Sequence, residues 1–333
     1  MPHRPLSVLS HLELLTPKLE ESVAFARDML GMFVVHEEGD SAYLRCWGDF
    51  YSYSLVLTEA AEPALGHAAW RAWNAEQLDV AVASVEASGT RGEWIESSYG
   101  HGRAYRFIGP AGHPTELFWE VDRAVVPPGE ESPYPERPQR APSHGVGVRL
   151  LDHVTVMATD VKGTVHWLRD VLDFRIMGGV AEVPENPDSP WFLGLATQNE
   201  KSHDFGFIRD FDAASSGRLH HVAFWVETNH QVTEGAKFLI EHGHDIDFGP
   251  GQHGIGEQDY LYFRDPAGLR YELNSGGYRI YVPDWEPVLW RFEDGPNNTY
   301  RTEIGLPAVY MVTIPPGVVG RSDEMIEGIV AKG

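Results

Sequence analysis

The sequence predicts an α+β protein of tandem βαβββ modules, in two domains that each form a curved, open, barrel-like mixed sheet. Three observations carry this expectation. Residues 10–35 (SHLELLTPKLEESVAFARDMLGMFVV) and 152–177 (DHVTVMATDVKGTVHWLRDVLDFRIM) share one pattern: short strand, polar break, amphipathic helix, second strand. Residues 105–118 (YRFIGPAGHPTELF) repeat the strand, turn and returning strand of 261–274 (LYFRDPAGLRYELN). Between the copies, residues 123–149 are dense in proline, glycine and charge, which cannot support a core and reads as a linker.

The second copy shows the elements most clearly. Val161, Val165, Leu168, Val171 and Leu172 recur at a helical period, and Asp160 is placed to cap that helix. Residues 191–197, 204–208 and 219–226 read as strands from their apolar and aromatic content. Residues 229–242 read as a helix that stops at Gly243. The βαβββ unit is thus expected twice in each half, and its curved sheet offers a concave side for a ligand. The expected domains are 1–122 and 150–275, followed by an extension over 276–333.

With 333 residues the chain can bury two sizeable cores. A formal charge of −23 argues against nucleic acid and anionic membranes, both of which reward basic patches. The single cysteine, Cys46, lies among strand-like residues and rules out an intramolecular disulfide framework. It reads as a small core filler. The N-terminus lacks the pattern of a secretory signal, and no uninterrupted apolar run could cross a bilayer, so a cytoplasmic enzyme is expected.

The chemistry concentrates in residues 251–272, GQHGIGEQDYLYFRDPAGLRYE. His253 sits on a glycine-rich loop, and a tight turn returns the chain so that Glu272 faces the same pocket. Upstream, His153 and His221 are candidate partners. Two imidazoles and one carboxylate on separate strands suit non-heme ferrous iron, because they leave open positions for substrate and dioxygen. Each residue alone has a plainer reading. His153 could be an ordinary strand histidine, and Glu272 could pair with Arg270. Of the adjacent His220 and His221, alternation lets only one enter the pocket, leaving the other behind it or at the surface. His166, His230, His242 and His244 read as solvated.

These residues resemble the type I extradiol ring-cleavage dioxygenases of the vicinal oxygen chelate superfamily, and most of all their catechol 2,3-dioxygenase branch. The resemblance covers nearly the whole chain. It implies Fe(II), with Mn(II) as the alternative, held by His153, His221 and Glu272. His203 matches the histidine that assists oxygen activation, and His253 the one on the substrate-hydroxyl side. Tyr262 matches the tyrosine that hydrogen-bonds the metal-bound phenolate. The implied partners are a catecholic substrate and dioxygen, the product a hydroxymuconic semialdehyde, and the assembly a homo-oligomer, often a tetramer. Phe248, Asn297 and Asn298 stand where the homoprotocatechuate branch is basic, which favours a neutral ring; Arg301 nearby argues the other way. The aromatic, proline-punctuated extension, with Trp285, Trp290 and Tyr300, corresponds to a pocket lid.

The resemblance implies a non-catalytic N-terminal half. Even so, His11, His67 and Glu116 lie where the ligands do, and His101 parallels His253, so a second metal stays open. Arg106 replaces Tyr262, and His203 has no counterpart near SYSLVLT. Two alternatives remain: a glyoxalase-like lyase or isomerase, richer in carboxylate ligands, and a metal-free binding module, which needs no such triad.

Overall fold

Each half starts with a strand of alternating apolar residues, and a helix then lays its apolar face back across that strand. In the computed structural model, which describes residues 4–212, 217–300 and 306–315, this happens four times. The first half runs β1 (Leu6–Thr16), α1 (Leu19–Asp28), β2 (Phe33–Glu38), β3 (Ser41–Arg45) and β4 (Leu55–Glu59). It continues with β5 (Ala64–Ala72), α2 (Ala75–Ala87), β6 (Gly92–Ile95), β7 (Ala104–Ile108) and β8 (Pro114–Phe118). The second half runs β9 (Leu150–Ala158), α3 (Val161–Leu172), β10 (Arg175–Ala181), β11 (Trp191–Thr197) and β12 (Phe205–Arg209). Then come β13 (Leu219–Trp225), α4 (Asn229–Glu241), β14 (Ile246–Gln252), β15 (Gln258–Arg264), β16 (Arg270–Gly276) and β17 (Val288–Trp290).

The strands form two mixed sheets, ordered β2-β3-β4-β1-β5-β8-β7-β6 and β14-β15-β16-β13-β9-β12-β11-β10-β17. Within each sheet the two βαβββ units join through antiparallel first strands, β1 with β5 and β9 with β13. Each first strand also pairs parallel with the last strand of its own unit, as β9 does with β12. The α+β class and the unit read from the sequence are both present. The extension adds what its sequence did not suggest, a strand: β17 joins the sheet edge beside β10.

Local chemistry explains the helices. Asp160 accepts from the Gly163 N–H at 2.9 Å, and Val161, Val165, Leu168 and Leu172 are buried. Each such side chain contributes up to ~1.5–3 kcal/mol on leaving water. α4 opens with a capping box between Thr228 and Gln231 and gives way to Gly243 at φ +83°. Among the described residues no helix is long and apolar enough to cross a membrane.

Alternation divides the second sheet into two faces. Val154, Phe207, Val222, Phe224, Tyr271 and Leu273 are fully buried in the core, while their sequence neighbours turn to the opposite, concave side. The two halves pack through aromatic rings. Trp70 meets Phe174 edge-on at 4.9 Å, and Phe25 lies nearly parallel to Tyr271 at 6.1 Å. His244, expected in solvent, instead packs edge-on against Phe25 at 4.9 Å. At Gly217 (φ +69°) the backbone of the second half touches the first: its N–H donates to the Ala111 carbonyl at 2.8 Å. A Cβ there would lie 2.2 Å from the Gly112 oxygen, so only glycine fits.

Candidate metal centre and substrate cavity

The sheet register assembles the cluster. Ala223 on β13 pairs with His153 on β9 at one side and with Glu272 on β16 at the other. His221 lies two residues before Ala223, so it shares that face. All three side chains are buried, and their ligand atoms gather within 4.8 Å. Two β-bulges refine the arrangement. Between β9 and β13 the ladder skips His220 on one strand and Asp152 on the other. A bulge frees its extra residue from strict alternation, so Asp152 and His220 sit beside their neighbours instead of across the sheet. Asp152 Oδ2 is 2.8 Å from His153 Nδ1, and His220 Nδ1 is 2.6 Å from His221 Nδ1.

These contacts fix the tautomers. A carboxylate only accepts, so His153 Nδ1–H donates to Asp152 and its Nε2 presents a lone pair. His220 Nε2 is 3.0 Å from the Tyr310 carbonyl oxygen and must donate to it. Its Nδ1 therefore accepts from His221 Nδ1–H, which leaves His221 Nε2 as a second lone pair. Asp152 is held in turn by Lys201 Nζ at 3.2 Å and Asn274 Nδ2 at 2.8 Å.

Both lone pairs converge on Glu272 Oε2, each from 3.1 Å, and the two nitrogens are themselves 3.1 Å apart. Glu272 Oε2 is buried and has no hydrogen-bond partner among the described residues. Three acceptors facing one another without a donor are costly unless a cation lies among them. The spacing suits a metal. Ligand atoms ~2.1–2.2 Å from an ion at right angles stand about 3.0–3.1 Å apart, as on one face of an octahedron. Electrostatics agree. Burial pushes the Glu272 carboxyl up, but the facing imidazoles outweigh it and hold the group well below the usual carboxylate range. Burial lowers His221 to about 4. His153 is also lowered by burial, yet Asp152 and Glu272 more than reverse this and raise it to about 9. Without a metal, a single proton on His153 takes the cation's place.

A cavity of about 110 Å³ opens directly above the three side chains. His203, His253 and Tyr262 are among the residues that line it. The His203 ring lies 4.2 Å from that of His153, and burial holds its pKa well below the ordinary histidine value. His253 Nδ1 donates to the Asn297 carbonyl at 2.9 Å, so its Nε2 accepts from the Tyr262 hydroxyl at 3.0 Å. Burial, helped by Glu272, pushes the Tyr262 phenol well above its usual value, so it stays a neutral donor. Phe192, Leu193, Ile208 and Phe292 supply apolar walls. Arg209 also lines the cavity, its guanidinium 5.0 Å from the centre of the Phe211 ring.

Several residues behave differently from their sequence reading. Arg270 does not approach Glu272: it binds Asp247 at 3.0 Å and the Val309 and Val312 carbonyls. His220 is fully buried, which removes its surface reading. Phe248 stacks on Tyr260 at 4.8 Å. Arg301 lies outside the described residues. Asp152, Asn274 and Tyr310 were missed. Asp152 adjoins His153 in sequence, but strict alternation sends it to the other face; Tyr310 belongs to no pattern.

In the first half, Ala69 pairs with His11 on β1 and Glu116 on β8, repeating the register around Ala223. His67 again lies two residues upstream. Arg106 faces Glu116 as Tyr262 faces Glu272, and its Nε donates to Glu116 Oε2 at 2.5 Å.

A family model, the Glyoxalase/Bleomycin resistance protein/Dioxygenase superfamily, matches residues 150–273. A metapyrocatechase from Geobacillus stearothermophilus is 37% identical over 292 residues, covering 87% of each chain. A manganese-dependent 2,3-dihydroxybiphenyl 1,2-dioxygenase from Geobacillus genomosp. 3 is 35% identical over 290 residues, covering 86% of this chain and 90% of that one. Among solved structures, an extradiol ring-cleaving dioxygenase from B. fuscum is 25% identical with a TM-score of 0.77, covering 91% of this chain and 81% of its own. The class is thus a dioxygenase of that superfamily. More particularly, the chain belongs to the extradiol ring-cleavage dioxygenases, oxidoreductases that work with a divalent metal on a small-molecule substrate and dioxygen.

Proposed function

We propose that this enzyme cleaves catechol, or a catechol bearing a neutral alkyl or aryl group, beside its two hydroxyls, giving a 2-hydroxymuconic semialdehyde type of product. His153, His221 and Glu272 are the metal ligands in this reading, and Fe(II) is the metal. The carrying observation is the convergence of three buried acceptor atoms, each 3.1 Å from the other two, at the floor of a largely apolar cavity.

Ferrous iron bound there supplies adjacent open positions that bring the diol and dioxygen together. The chain's own groups do the rest. Tyr262, whose O–H is directed to His253 Nε2, accepts the proton of a substrate hydroxyl while passing its own to His253 through the 3.0 Å contact. His203, kept neutral by burial, stands beside His153, as Tyr262 stands beside His221, and serves as the acid–base group for the oxygen reactant. The apolar walls exclude water that would compete for the same donors.

Oxygen uptake with catechol, alkyl- and aryl-catechols and 3,4-dihydroxyphenylacetate, coupled to formation of a yellow ring-opened product, tests this. Uptake without that product would defeat ring cleavage. Arg209 favours a second reading, an anionic ring substituent, because no carboxylate pairs with its guanidinium among the described residues. Preference for the acid would select it. Manganese in place of iron is the metal alternative, and metal analysis of the active protein decides it. A cytoplasmic homo-oligomer is part of the same reading, and light scattering of the purified protein tests the assembly.

A further inference from the structure

We propose that the first half carries a second metal centre, a buried site for zinc or a similar divalent cation, with His11, His67 and Glu116 as its protein ligands. Their ligand atoms lie within 4.8 Å of one another, all buried. His67 Nδ1 is 2.9 Å from Glu13 Oε2. The carboxylate accepts, so His67 donates from Nδ1 and its Nε2 turns a lone pair inward, the arrangement that orients metal-bound histidines. Glu116 is fully buried, and its Oε1 has no hydrogen-bond partner among the described residues. His101 aggravates that oxygen's position. Its Nδ1 donates to the Gly102 carbonyl at 2.7 Å, so its Nε2 brings another lone pair to 3.4 Å from Glu116 Oε1.

The geometry differs from that of the second half in an informative way. His11 Nε2 is 3.2 Å from His67 Nε2 and 3.6 Å from Glu116 Oε1, and His67 Nε2 is 3.8 Å from the same oxygen. These edges bracket the about 3.3–3.4 Å expected for ligand atoms ~2.0–2.1 Å from a tetrahedral zinc ion, and two histidines with one glutamate are a known zinc donor set. Among the described residues, aromatic rings crowd His11. Tyr53 covers the His11 ring at 4.7 Å, and Phe118 adjoins it at 5.4 Å. Arg106 puts a fixed positive charge on Glu116 Oε2, leaving Oε1 for the ion. The site is structural: it ties β1, β5 and β8 together as a metal clip. The competing arrangement is metal-free, with His11 donating from Nε2 to His67.

The test uses the full-length protein, equilibrated with Zn²⁺, desalted and analysed for metal per chain. The expected result is two equivalents in the wild type, one after His67→Ala, one after His221→Ala, and none in the double variant. A His221→Ala protein that retains no zinc overturns the proposal. The first-half and second-half readings fail separately, since each single variant removes only its own equivalent. Should His67→Ala not fold, Co²⁺ added to His221→Ala decides alone. Strong visible bands of a low-coordinate ion support the site, and the weak spectrum of hydrated cobalt refutes it.

Discussion

His220 Nδ1 lies 2.6 Å from His221 Nδ1, and this contact determines which nitrogen of His221 faces Glu272. Removing it leaves the ring free to flip or to donate from the wrong atom. His220→Phe keeps a ring in the pocket but cannot accept the proton. We expect metal affinity to fall ~10–100-fold, as for other losses of a group that orients a metal-bound histidine. Chelator competition measures it, and unaltered affinity would discard the relay.

Metal uptake should release protons. With His153 raised to about 9 and His221 lowered to about 4, the metal-free cluster holds one imidazolium, His153, at neutral pH, one proton more than the two neutral rings carry. An entering ion must displace it, so about one proton is released per ion and affinity climbs with pH until about 9. The linkage also runs through folding. Protonated His153 stabilises the metal-free fold fully below its ordinary value of 6.5, and that contribution disappears as pH rises through about 9. Calorimetry in buffers of different ionisation enthalpy counts the protons; a count near zero contradicts the assignment.

For His203→Gln or His203→Phe, turnover should drop ~10²–10⁴-fold, the range for losing a positioned acid–base group. Metal content should stay near that of the wild type, because His203 lies beside His153 and is not among the three converging side chains. Loss of metal together with activity would falsify the acid–base role.

Phe205 is fully buried between the halves, 5.5 Å from Trp70 and 4.9 Å from His113. Phe205→Ala should cost ~3–5 kcal/mol, the range for truncating a well-packed aromatic. Chemical denaturation should show the midpoint falling; a change below about 1 kcal/mol would mean the interface can collapse around the gap.

Much of this was legible in advance because it depends on period and spacing. The α3 stripe from Val161 to Leu172 and the Asp160 cap follow directly from helical geometry. The tight turn before Arg270 restricts where Glu272 can go and puts it near His253, whereas His153 and His221 were legible only as strand histidines and through the family resemblance. The supporting residues were hidden for a definite reason. Asp152 and His220 work through bulges, which interrupt the two-residue alternation that sequence reading relies on. Tyr310 acts through its carbonyl, a group every residue carries, so nothing in its side chain announces the role.

That carbonyl links the tail of the chain to the heart of the enzyme. Residues 306–315 seat Tyr310 so that its backbone oxygen receives His220, which in turn sets His221. Shortening the protein before Leu306, or prying that segment away, would therefore act as a remote chelator. Metal affinity would fall with His153, His221 and Glu272 all still in place.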